Sequence, residues 1–493
     1  MKRILKYFPI ILALLLIQSC GKEFLDVNTD PNNASDATPE LVLPAAVMSA
    51  AGQFGSYYQI LGGMWSQHWT QNNGSNQYKN IDGFNVLPTT LNTNFSELYS
   101  GALNDLKFVI TKANESENWS FVLMATIMEA YIYQYLVDVY DQVPFEEALL
   151  GNEGNFTPHY NTGQEIYDGI ITRINDAMAL DLSASTSKNP GEADYIFGGD
   201  MDLWIQFANT LKLRIFLRQV YARPDVTQAG IQALYSDGGD FLSQDAAITQ
   251  FIDEQGKDNP LYECDQRQLN TNTNIKASTT FMSWLIQNAD PRIDYLFLPG
   301  ADGTFKSLDQ GNFNLPSTVS PPTATSRALI NATDPVYFIS EAESYFLQAE
   351  AVLRGYGTGD VKGLYDAGVM AAFAKYGLDG TAFVDAGGAY EYPASGTMEE
   401  QLEAIIVQKW ASMAGSQGLE SFEEHNRTGY PKYSPVPASD IAYEPGEFTY
   451  PIEGVTGNGN WAKRLLFPDT ERSRNPNTPA QVPITTKVWW DQK

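Results

Sequence analysis

Residues 65–84, WSQHWTQNNGSNQYKNIDGF, hold the densest set of groups able to recognise an uncharged, hydroxyl-rich ligand. Trp65, Trp69, Tyr78 and Phe84 offer flat apolar faces, and Gln67, Gln71, Asn72, Asn73, Asn76, Gln77 and Asn80 offer planar amides. A sugar presents an apolar C–H face and an array of hydroxyls. An aromatic ring covers the first, and a carboxamide donates to one hydroxyl while accepting from another. Neutral amides also leave no buried charge unpaired when a site is empty. Apolar walls with a few polar groups are the usual make-up of a ligand site, so Trp65, Trp69, Asn72, Asn73 and Tyr78 are the candidate binding residues. The same composition fits a loop that packs its aromatics on a scaffold. Trp65 and Trp69 stand four apart, and on a helix they would share a face that can equally be core. Trp284 and Trp410 fall in apolar stripes and read as core. Trp489 and Trp490 fit either a docking edge or a strand end.

No constellation for making or breaking bonds accompanies these residues. The chain has no G-x-S-x-G elbow, no G-x-x-x-x-G-K and no H-E-x-x-H. Gly355, Gly357 and Gly359 follow a helix rather than a strand, so they end a helix rather than cradle a dinucleotide. With 59 acids a carboxylate pair can always be found, and such a pair carries no information. Glu146-Glu147, Glu399-Glu400 and Glu423-Glu424 are neighbours that would point apart on a helix, and they read as solvated. His68, His159 and His425 lie in no metal-ligand spacing. Asp26, Asn28 and Asp30 alternate as in a calcium loop, but Pro31 and Ala37 stand where its glycine and glutamate belong, so Asx-turns are the better reading. The chain reads as a binder rather than an enzyme, with no metal and no cofactor.

Charge narrows the partners. Thirty-one Lys and Arg against 59 Asp and Glu give a net charge of −28. Nucleic-acid binding needs a basic footprint, and adsorption to anionic lipid needs the same. The first residues, MKRILKYFPIILALLLIQSC, carry Lys2, Arg3 and Lys6, a short apolar run and then Cys20. That is a secretory signal layout, too short to span a bilayer. Ile17-Gln18-Ser19-Cys20 resembles a lipoprotein cleavage box, with Gln18 bulkier than the small residue usual there. Membrane attachment would then come from acyl chains such as palmitate on Cys20, because the acidic body gains nothing from anionic headgroups. Cys264 would be left without a disulfide partner.

These groups need a scaffold, and the rest of the chain supplies helical periodicity. Residues 338–354 place apolar side chains at steps of three and four, ending at Gly355, and a second stripe runs from Asp360 to Tyr376. Thr397 and Glu400 form a capping box for a helix over 397–413. Residues 119–140 are apolar on most faces and predict a buried helix, with 164–182 as its partner. Helices are also expected near 40–54, 92–113, 201–221 and 277–288. Long irregular stretches fall at 62–90, 236–275, 299–335 and 419–493. The fold class is mainly α: tetratricopeptide-like helical hairpins carrying long loops. The expected layout is a signal at 1–19, a tether at 20–39 and one helical domain over 40–493, with loop-rich insertions at 236–335 and 419–493.

Several segments together resemble the SusD/RagB family of outer-membrane lipoproteins of Bacteroidota. They are FLDVNTDPN after Cys20, DVYDQVPFEEAL (138–149), ADPRIDYLF (289–297), ISEAESYFLQAEAVLRG (339–355), IIVQKWASMAGSQGLESFEEHNRTGYP (405–431) and AKRLLFPDTERSRNPNT (462–478). The resemblance runs from Cys20 to the C-terminus. One departure is His425-Asn426-Arg427, where relatives often carry an Arg pair, which leaves the local salt bridging open. The resemblance implies a surface-exposed, lipid-anchored protein that captures oligosaccharides or peptides. It would pass them to a TonB-dependent barrel of the SusC type. Two other readings are a structural adaptor without a ligand site and a secreted glycan hydrolase.

Overall fold

The computed structural model describes residues 37–493; Cys20, the signal at 1–19 and Asp26, Asn28 and Asp30 of the tether lie outside them. Its longer helices are α1 (Pro39–Phe54), α2 (Tyr57–Trp65), α3 (Asn104–Glu115), α4 (Trp119–Tyr140), α5 (Gly163–Met178), α6 (Met201–Arg218) and α7 (Pro224–Ser236). They continue with α8 (Thr279–Gln287), α9 (Glu341–Leu353), α10 (Val361–Ala374), α11 (Met398–Ser412) and α12 (Gly418–Thr428). The strands are short: β1 (Trp69–Gln71), β2 (Gln142–Pro144), β3 (Tyr160–Thr162), β4 (Ala246–Ile248), β5 (Ile275–Ala277), β6 (Phe297–Leu298), β7 (Arg327–Ala328) and β8 (Val336–Ile339).

α4 is the helix around which the others gather. A helix apolar on every face must be covered all round, and every residue of α4 after Trp119 is buried. It is long and apolar enough to cross a membrane, yet it lies wholly inside the protein. Two of its polar side chains reach neighbouring helices. Glu129 pairs with Arg173 of α5 at 3.0 Å, and Gln134 accepts from Arg214 of α6 at 3.0 Å. α4 packs on α5 and α9 on α10, so the two helical pairs expected from the periodicity are present, and α6 packs on α7 as a further pair. The capping box of Thr397 and Glu400 forms at α11. Asp360 caps α10, and Gly355 takes the left-handed φ of +74° that ends α9. Residues Pro39–Lys493 close into one compact unit.

Three expectations about elements change. The helix expected from residue 338 starts at Glu341, capped by Ser340. Val336–Ile339, rich in β-branched and aromatic residues, instead pairs antiparallel with β4. α7 was not expected at all; its signal is Pro224 at the first helical position. The run 92–113 breaks at a π-helical turn, Leu98–Leu103, before α3.

The larger correction concerns 419–493, where α12 stands within an expected loop. Every residue of α12 is buried, although its sequence, GLESFEEHNRT, is polar. Glu423 and Glu424 are therefore not solvated. Four cations neutralise this region. Arg218 meets Asp138, Glu420 and Glu424 at 3.2, 2.6 and 2.5 Å. Lys409 of α11 lies 3.1 Å from Glu424, and Arg214 lies 3.5 Å from Glu343. Arg427 bridges Glu350 of α9 and Glu424, both at 2.6 Å. The single arginine of His425-Asn426-Arg427 thus makes the salt bridges that the sequence left open.

α12 crosses α2 backbone against backbone. A Cβ on Gly62 would lie 2.1 Å from the Leu419 nitrogen, and one on Gly418 would lie 2.4 Å from the Gly63 nitrogen. Glycine at these places is a condition of the crossing.

Candidate functional site

The segment 65–84 leaves α2, forms β1 and returns through a short helix, Lys79–Asp82. β1 pairs antiparallel with β5, Trp69 opposite Ala277 and Gln71 opposite Ile275. The sheet continues to β7 and β6, so it joins the loops of 65–84, 271–277 and 297–328.

The predicted binding residues lie together, but mostly inside. Trp65, Trp69, Asn72 and Tyr78 are 3%, 2%, 2% and 1% exposed. The Trp65 indole N–H donates to the Ile81 carbonyl at 2.9 Å, and its ring meets Phe84 and Phe422 edge-on. Trp69 lies against Gly63, where a Cβ would come within 2.4 Å of the indole. Tyr78 donates its hydroxyl proton to Asp265 at 2.9 Å. Asn72 accepts from the Gly74 N–H at 2.9 Å. Asn73 donates to the carbonyls of Leu315 and Ser320 at 3.0 and 2.9 Å. The flat faces expected to be open are therefore covered by protein, and the amides hold neighbouring loops. Residue types alone do not separate these roles, because a carboxamide pairs with a backbone carbonyl as well as with a sugar hydroxyl.

Other polar groups of the segment are equally engaged. Gln67 accepts from Thr280 at 2.6 Å and donates to the Thr449 carbonyl at 2.7 Å. Asp82 accepts from Thr70 at 2.8 Å and from the Gln71 N–H at 2.9 Å, yet burial still pushes its carboxyl up to about 6. Asn76, Gln77 and Asn80 remain exposed at the outer edge, with Tyr57 half-buried beside Tyr78, their rings 6.4 Å apart.

His68 sits behind this edge. Its Nε2 donates to the Trp410 carbonyl at 3.0 Å in the neutral form, its ring stacks on Trp410, and burial holds it down to about 3. The unfolded chain takes a proton below about pH 6.5, whereas the folded site does not. The contribution of His68 to stability therefore falls by about 1.4 kcal/mol for each pH unit of acidification below that value, until His68 itself titrates. The His68 imidazole 15N resonances are expected to stay fixed from about pH 7 to pH 5, and a midpoint within that interval would contradict the buried neutral ring.

Trp284 and Trp410, expected in the core, are 8% and 2% exposed. Trp490 is fully buried and lies against Arg218, its ring centroid 5.3 Å from the guanidinium carbon. Trp489 meets Tyr167 edge-on. Both tryptophans join the C-terminus to the core.

Among the described residues, three of the larger open cavities lie elsewhere, and none of these three is lined by the predicted residues. The first, of 510 Å³, is walled by α3, α4, α5 and the segment after β2, with Glu129, Tyr133 and Arg173 on its lining. The second, of 470 Å³, is lined by Tyr99, Phe156 and Arg474 among others. A third, of 630 Å³, lies between α5, α6 and α7. Burial raises the Glu129 carboxyl despite the guanidinium of Arg173 beside it. Sequence reasoning missed the first two cavities because their residues come from distant segments. Their one local signal was 138–149, read only as a family segment.

Paired helices with long loops on one scaffold define a tetratricopeptide-like fold. The chain belongs to the SusD-like family: residues 31–451 match the family SusD-like_2, described as "Starch-binding associating with outer membrane". Solved structures share the fold. A chitin-binding protein is 23% identical with a TM-score of 0.74, the match covering 92% of this chain and 100% of that one. A SusD homolog from Bacteroides uniformis is 22% identical with a TM-score of 0.74, covering 92% and 99%. A chitin-binding SusD homolog from Flavobacterium johnsoniae is 19% identical with a TM-score of 0.73, covering 91% and 98%. No curated protein matches the chain in sequence.

Proposed function

We propose that the protein captures an oligosaccharide at the cell surface and delivers it to a SusC-type TonB-dependent barrel, without cleaving it. The observation that carries this reading is the match of residues 31–451 to a family described by starch binding and outer-membrane association. Chitin-binding proteins among those of the same fold favour a saccharide over a peptide. Acyl chains on Cys20 would hold the body at the membrane, since a net charge of −28 cannot. Tethering in turn raises the local concentration at the barrel. Within the ligand site, the exposed amides of Asn76, Gln77 and Asn80 beside Tyr57 would meet the sugar. Asn72, Asn73, Trp65, Trp69 and Tyr78 would hold that edge from behind.

The test is recovery of affinity-tagged full-length protein from detergent-solubilised outer membranes. The expected result is an acylated Cys20 by mass spectrometry and a stoichiometric barrel partner. An unmodified thiol on protein free in the medium would overturn the reading.

A further inference from the structure

The 470 Å³ cavity is within the size range of small-ligand sites. It lies where the segment after β2 meets the π-helical turn Leu98–Leu103 and the short helix Asp469–Arg474. π-helical turns are rare and recur at functional sites, and this one places Tyr99 and Ser100 on the lining. The walls are held by hydrogen bonds. Tyr99 donates to the Pro144 carbonyl at 2.8 Å, and Asn475 donates to the Pro158 carbonyl at 2.8 Å. Leu149, on the same lining, has a φ of +62°, a strained conformation for a branched side chain. Lys107 holds its carbonyl at 2.8 Å.

Three side chains of this cavity stand ready for a ligand. Phe156 is 78% exposed, an apolar ring left in water at the cavity edge. Among the described residues Arg474 makes no ion pair and donates no hydrogen bond, although the chain is strongly acidic. Glu471 accepts from the Tyr160 hydroxyl at 3.2 Å through one oxygen. A guanidinium matches a carboxylate in a two-bond fork. A flat ring covers the C–H face of a sugar, and a carboxylate accepts from sugar hydroxyls.

We propose that this cavity binds an acidic saccharide residue, a uronic acid, with its carboxylate on Arg474, its ring face on Phe156 and a hydroxyl on Glu471. The saccharide part of this assignment rests on the glycan reading above, and the carboxylate part rests on the free guanidinium. The site is separate from the amide edge at Asn76 and Gln77, and it would favour charged over neutral glycans.

Calorimetry on the full-length protein tests it with trigalacturonate, its methyl ester, maltotriose and a peptide ending in a phenylalanine carboxylate. Trigalacturonate is expected to bind at least about tenfold more tightly than its ester, in keeping with a charge-assisted pair. Arg474→Gln and Phe156→Ala are each expected to weaken it about tenfold or more. Arg472→Gln, which removes the same charge from the same short helix but outside the cavity, is expected to leave it unchanged. Equal binding of acid and ester, wild-type affinity in Arg474→Gln, or preference for the peptide would overturn the proposal. If trigalacturonate fails while neutral glycans bind, this proposal falls and the glycan reading stands; failure of every saccharide removes both.

Discussion

Replacing Arg427 with methionine is expected to lower the unfolding free energy by about 3–5 kcal/mol, the usual cost of breaking one side of a buried ion pair. Arg427 donates to both oxygens of Glu350, at 2.7 and 2.6 Å, and to Glu424 at 2.8 Å through Nε. Burial alone would raise the Glu350 carboxyl, but Arg427 and Arg354 hold it below the usual carboxylate range. Without Arg427, two buried carboxylates lose their main partner while remaining out of water. Methionine fills much of the volume, so the loss reads the charge rather than a cavity. Denaturant unfolding followed by circular dichroism measures it. The exposed pair Lys112–Glu115 is the comparison, with side chains 45% and 59% exposed. Lys112→Met there is expected to change stability by less than about 1 kcal/mol. A loss below that size for Arg427→Met would mean that α12 is not held by this network.

The second large effect is expected at the crossing of α2 and α12. Gly62→Ala places a Cβ 2.1 Å from a backbone nitrogen of α12, where no rotamer change can make room. The helices must separate, and with them the contact between Trp65 and Phe422. A loss of more than about 4 kcal/mol, or failure to fold, is expected. Gly52→Ala serves as the control, because a Cβ at Gly52 of α1 meets nothing within 4 Å. Helix propensity then favours alanine by roughly 0.5–1 kcal/mol. Melting temperatures compare the two. If Gly62→Ala melted within a few degrees of the unchanged protein, the close crossing would be wrong.

What the sequence could convey depended on how local the signal was. α4, α9 and α11 were legible because apolar spacing, a capping box and a closing glycine all lie within one helix. Trp410 was placed correctly for the same reason, since its own stripe carries it inward. α12 was not legible. Its glutamates are buried because Arg214 and Arg218 come from α6, far away in the chain, and no window of GLESFEEHNRT contains them. The site was half legible. The segment 65–84 does join the loops, but Tyr78 is turned inward by Asp265 and Asn73 is held by Leu315 and Ser320, all distant partners. The 470 Å³ cavity draws on residues from Phe95 to Asn475, a span that no local pattern encodes.

The most direct measurement of saccharide capture is calorimetric titration of the full-length protein with malto-oligosaccharides, chito-oligosaccharides and peptides, with the products then analysed by mass spectrometry. The expected result is saturable binding of at least one glycan, recovered intact, with peptides giving no heat. Silence across every glycan, or recovery of shortened sugars, would contradict a non-cleaving saccharide receptor.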